Sequence, residues 1–61
     1  MIYESKEIRI ERQKLNLTQD ELARLSGVSS SRICKIEGKG RATEANLKKL
    51  TDALQRAGGA T

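Results

Sequence analysis

Three consecutive serines, Ser29, Ser30 and Ser31, stand just ahead of a cysteine and a lysine, Cys34 and Lys35. Hydroxyl, thiol and amine within one short span could make a nucleophilic site, provided that something activates them. A serine nucleophile needs a base within hydrogen-bond reach, and the 61 residues include no histidine. Asp20 and Glu21 are adjacent carboxylates where a helix begins, and Gly38-Lys39-Gly40 lacks the spacing of a phosphate-binding loop. Cys34 is the only cysteine, so no second thiol resolves it and no histidine shares a metal with it. It reads as a small, weakly polar contact residue. Neither catalysis nor a metal nor a cofactor is expected. What remains is contact chemistry: hydroxyls and a cation offered to a partner.

Charge says what kind of partner. Up to Val28, Lys6, Arg9, Arg12, Lys14 and Arg24 are cancelled by Glu4, Glu7, Glu11, Asp20 and Glu21. From Ser29 onward, Arg32, Lys35, Lys39, Arg41, Lys48, Lys49 and Arg56 face only Glu37, Glu44 and Asp52, so the net charge of +4 belongs to the second half. A polyanion would be drawn to that half. A lone cysteine suits a reducing compartment. No apolar run approaches about 18 residues and no leader-like segment opens the chain. A cytoplasmic protein with no membrane partner is expected.

The elements that position these residues follow from spacing. A chain of this size buries only about 60% of its unfolded surface, and without Phe or Trp the core falls to Leu, Ile, Val and Ala. No proline interrupts the sequence, and the apolar residues recur at helical intervals, predicting an all-α chain of four helices. The first spans about Glu4 to Leu15, with Ile8 and Leu15 on one face. Thr18 caps the second and Glu21 completes a capping box; its apolar residues are Leu22, Ala23 and Leu25. Gly27 ends it and Val28 packs inward. Ser29 caps a third helix from about Ser30 to Glu37, which Gly38 and Gly40 stop. Thr43 caps the fourth, where Leu47, Leu50 and Leu54 form a stripe. Gly58 and Gly59 begin a frayed tail over 58–61, leaving 1–57 as the folded domain.

At about 100° per residue, Ile33 and Ile36 define the buried side of the third helix. Ser31, Cys34, Lys35 and Gly38 point the other way, with Ser30 and Arg32 on the flanks. Small polar side chains beside cations let a helix backbone approach a groove closely. The serines are thus cap and contact face, not linker. Two short helices joined through a glycine turn match the helix-turn-helix pattern, whose second helix enters the DNA major groove.

The stretch LTQDELARLSGVSSSRICKIE, Leu17 to Glu37, resembles the helix-turn-helix of the Cro and phage-repressor (XRE) family. Its pattern is met by Leu17, Thr18, Gln19, Leu22, Ala23, Gly27, Val28, Ser29, Ile33, Ile36 and Glu37, and the likeness runs from Ile8 to Leu54. The resemblance implies a compact lambda-repressor-type domain of four helices, or a five-helix-like variant, acting as a sequence-specific regulator on double-stranded DNA. It implies that Ser30, Ser31, Cys34 and Lys35 face base edges, with guanine a fitting base for Lys35. Gln19 would bind phosphate, as would Ser29, Arg32, Lys39 and Arg41. Arg12 and Glu37 would form a structural ion pair.

Three departures from the family pattern stand out. Gly38-Lys39-Gly40 replaces the usual asparagine, glycine and lysine; Glu11 stands where a leucine is usual; and the sequence stops at Thr61, where relatives commonly carry a fifth helix or an added domain for dimerisation. A homodimer on a palindromic operator is nonetheless expected, because one short helix reads too few base pairs to select a genomic site. The alternative is an antitoxin-type or other protein-interaction module on the same fold, with Tyr3 and Ile10 as an apolar strip for a partner.

Overall fold

A computed structural model describes residues 2–59. The first helix, α1 (Ser5–Lys14), starts as Glu7 Oε1 accepts from the Glu4 N–H at 3.0 Å. It hands over to α2 (Gln19–Ser26) through Asn16, whose φ of +57° lies in the left-handed region that asparagine tolerates better than most residues. Thr18 then caps α2 reciprocally: its Oγ1 accepts from the Glu21 N–H at 3.0 Å while Glu21 Oε1 accepts from the Thr18 N–H at 2.9 Å.

Gly27 closes α2 with φ +77°, and the Ser26 hydroxyl accepts from the Val28 N–H at 3.2 Å, turning the buried Val28 inward. α3 (Ser30–Lys39) and α4 (Glu44–Gly59) complete an all-helical fold with no strand among the described residues. α4 lies against α1 and α2, and α3 packs on the same two helices from another side. Ile8, Leu22, Val28, Ile33, Ile36, Leu50, Ala53 and Leu54 meet at the centre.

Several boundaries differ from the sequence reading. α3 continues through Gly38 and ends only at Gly40, where φ is +72° and the N–H bonds Ile36 O at 2.9 Å. Gly38 keeps helical angles at a cost of about 1 kcal/mol relative to alanine, because the left-handed turn comes two residues later. α4 likewise runs through Gly58 to Gly59. A Cβ on Gly58 would stand 2.7 Å from Leu15 Cδ2, so the missing side chain lets the last turn of α4 close over the end of α1. The remainder of the expected tail, Ala60 and Thr61, lies outside the described residues.

Leu25 is 51% exposed. It sits about 60° from Leu22 on the side away from Ala23, so the face that packs has turned past it. Tyr3 and Ile10 do not form a shared strip. Tyr3 packs on the core and its N–H donates to the buried Thr51 Oγ1 at 2.9 Å, whereas Ile10 remains 51% exposed. Glu11 is half-buried at the edge of α1, with its Oε2 3.2 Å from Lys14 Nζ.

Candidate nucleic-acid interface

The exposed side of α3 is set by its buried side. Ile33 and Ile36 are in the core, so Ser31, Arg32, Cys34, Lys35, Gly38 and Lys39 are left to solvent. Ser30 is half-buried, which withdraws it partly from the outer face. Ser31, Lys35 and Lys39 recur four apart and make one stripe along the helix. Lys39 belongs to that stripe as the last residue of α3, rather than to the loop in which the shorter sequence-based helix placed it.

Ser29 is exposed and its Oγ accepts from the Arg32 N–H at 3.2 Å. No acidic residue stands in the first turn of α3, so the positive end of its dipole is left uncompensated by a carboxylate. Cys34 is a free, exposed thiol.

Beside the stripe the chain folds back. Arg41, Thr43 and Asn46 form a second wall, and between them and Ser31, Arg32, Lys35 and Lys39 lies an open groove. Four cations line it and no carboxylate does. Thr43 Oγ1 accepts from the Asn46 N–H at 3.2 Å, so this wall contains the capped start of α4 and its dipole. No pattern in the sequence marks Asn46, and Thr43 stands out there only as a cap. Their signal was present but indirect: a capped helix start two residues after Arg41.

Gln19 is the first residue of α2, and its half-buried side chain is engaged within the protein, with Nε2 donating to Glu37 Oε1 at 3.2 Å. Glu37 in turn receives Arg12: Nε to Oε2 at 2.8 Å and Nη2 to Oε1 at 2.9 Å. Arg12 Nη1 donates to Leu17 O at 2.8 Å. One guanidinium therefore joins α1, the α1–α2 connection and α3. The side chains of Arg12 and Glu37 are only 13% and 5% exposed. Hydrogen bonds to Glu37 hold the Arg12 pKa above its ordinary value despite the opposing effect of burial. The arrangement fixes α3 against α1 and α2 and so sets how the groove is presented.

Fold and surface together define a DNA-binding helix-turn-helix domain: a capped α2, a left-handed glycine turn and an α3 whose free face is cationic. A family model for helix-turn-helix proteins matches residues 8–57, most of the chain. The chain belongs to this family of DNA-binding transcription regulators, of the Cro and repressor type. No curated protein matches it. The family is one of regulators rather than enzymes. No helix among the described residues is long and apolar enough to cross a membrane.

Proposed function

We propose that the protein is a cytoplasmic, sequence-specific regulator that lays α3 in the major groove of double-stranded DNA. The observation that carries this reading is the groove beside α3, with Arg32, Lys35, Lys39 and Arg41 on its walls and no acid among them. Lys35, Ser31 and Cys34 meet base edges, with Ser30 at the margin. Gln19, Ser29, Arg32, Lys39 and Arg41 hold phosphates, joined by Thr43 and Asn46 at the start of α4. Two copies acting about one helical turn apart give a palindromic site and the selectivity that a single α3 lacks.

Selection of bound sequences from a random duplex pool tests this directly. A two-fold related motif is expected, and Lys35→Ala should cost about 1–3 kcal/mol on the selected site with a smaller loss on random DNA. An unchanged preference in Lys35→Ala, or the absence of any enriched motif, would remove α3 as the reader.

The exposed Ile10 favours a second reading, a module that holds a protein partner by the outer face of α1. A chain that co-purifies with such a partner and enriches no DNA motif would support it.

A further inference from the structure

Glu37 does more than neutralise Arg12. Its Oε1 accepts from two donors, Arg12 Nη2 at 2.9 Å and Gln19 Nε2 at 3.2 Å, while its Oε2 is held by Arg12 Nε at 2.8 Å. With Arg12 also tied to Leu17 O, the carboxylate sits in a fixed place near the start of α2. The Gln19 side chain has three rotatable bonds and, among the described residues, this one side-chain partner. A carboxylate only accepts hydrogen bonds, so it selects the amide NH2 and turns the amide oxygen elsewhere. A primary amide has two N–H groups; one is used on Glu37, and the second is left to point away from it.

The same helix end has spare donors. Of the first four N–H groups of α2, that of Thr18 bonds Glu21 Oε1 and that of Glu21 bonds Thr18 Oγ1, which leaves those of Gln19 and Asp20. An anion at this end would meet these backbone donors beside the carboxylates of Asp20 and Glu21 and, if the amide is correctly turned, one more donor from Gln19. Turned the other way, the amide would offer an oxygen and repel it.

We infer that Glu37 is a positioning residue for DNA: held by Arg12, it orients the Gln19 amide so that an N–H faces backbone phosphate. This rests on the reading of Gln19 as a phosphate contact. The sign of the effect separates orientation from simple electrostatics. A carboxylate near DNA repels phosphate, so deleting its charge would by itself tighten binding, whereas losing its orienting role weakens it.

Because a phosphate contact is independent of sequence, the probe is a short random-sequence duplex, followed by fluorescence anisotropy at low salt. Gln19→Ala should bind about fivefold more weakly, the effect of one hydrogen bond. The paired replacement Arg12→Met with Glu37→Leu removes one charge of each sign, leaves the net charge unaltered and keeps the site filled with apolar groups. It should show a similar loss, and that loss should vanish when Gln19 is already alanine.

Parent-like binding by the paired variant, with Gln19→Ala weakened, overturns the proposal, as does a loss that persists in full on top of Gln19→Ala. Parent-like binding by Gln19→Ala removes the phosphate contact itself, and the proposal falls with it. Should the paired variant fail to fold, the side-chain amide signals of Gln19 in the unaltered protein decide the matter. Adding duplex should move one of its two amide protons and leave the one bonded to Glu37. Protons that move together, or an amide already averaged by rotation in the free protein, overturn the inference.

Discussion

Arg12 and the cations beside α3 are the same kind of group in opposite circumstances. Arg12 is nearly buried, with three of its five N–H groups bound to Glu37 or Leu17. Arg32, Lys35, Lys39 and Arg41 are exposed, share one groove and take part in no ion pair among the described residues. The first charge is committed to the fold, because a desolvated guanidinium is tolerable only beside its carboxylate. The second set contributes nothing comparable to the fold and carries mutual repulsion that only an anion relieves. What sets these four apart from the other exposed cations is that they share one groove with no carboxylate on its walls, and the proposed reading rests on that grouping.

The largest expected effect breaks the first side of this contrast. Arg12→Met or Glu37→Gln alone leaves the other charge poorly compensated and should lower unfolding free energy by about 3–5 kcal/mol, measured by urea denaturation. Replacing both residues together with apolar groups should recover most of that loss. If the paired replacement costs as much as the worse single one, shape rather than charge holds α1 to α3, and the contrast fails on the buried side.

Salt tests the exposed side. With roughly four to six phosphate contacts per subunit, log affinity for DNA should fall by about 0.9 per contact for each unit of log salt. Between about 50 and 200 mM salt this amounts to roughly a hundredfold to a thousandfold weakening. Lys39→Ala should reduce the slope by about 0.9, while the paired Arg12 and Glu37 replacement should leave it as it is. A slope unaffected by Lys39→Ala would place the DNA elsewhere.

The legible part of this fold was what short-range chemistry decides. Thr18, Ser29 and Thr43 each receive the N–H expected of a cap, and Gly27 takes the left-handed turn. Ile33 and Ile36 fall in the core, and that alone fixed the outward direction of Ser31, Cys34 and Lys35. The positions that misled are those decided by neighbours distant in sequence. Gly38 and Gly58 look alike as helix breakers, yet both remain helical, and at Gly58 Leu15 packs where a side chain would stand. The bond from Tyr3 to Thr51 spans 48 residues and is invisible to any periodicity. At the site, the stripe on α3 followed from its period, but the wall built by Thr43 and Asn46 depends on how Gly40 redirects the chain. The Gln19 contact with Glu37 depends in the same way on how α2 sits against α3.

The smallest expected effect sharpens the comparison at the two helix starts, where an acid is committed on one side and absent on the other. At α2 the positive end of the dipole is met by Asp20 and Glu21, while α3 has no acid in its first turn. Glu21 is fully exposed, yet its pKa lies below the ordinary carboxylate value, chiefly because it accepts from the Thr18 backbone N–H, then through the Thr18 hydroxyl and nearby Arg24. A carboxylate whose pKa is lower folded than unfolded contributes stability that is present above the unfolded pKa and is lost as pH falls through the folded one. Thermal melts of the parent should therefore decline in acid partly through this group. Glu21→Gln keeps an acceptor for the Thr18 N–H and should change the melting temperature little at neutral pH, but its decline below the usual carboxylate range should be shallower. Parallel acid profiles for parent and variant would mean that the cap at α2 is made without help from the charge. The two helix starts would then differ in composition but not in energetics.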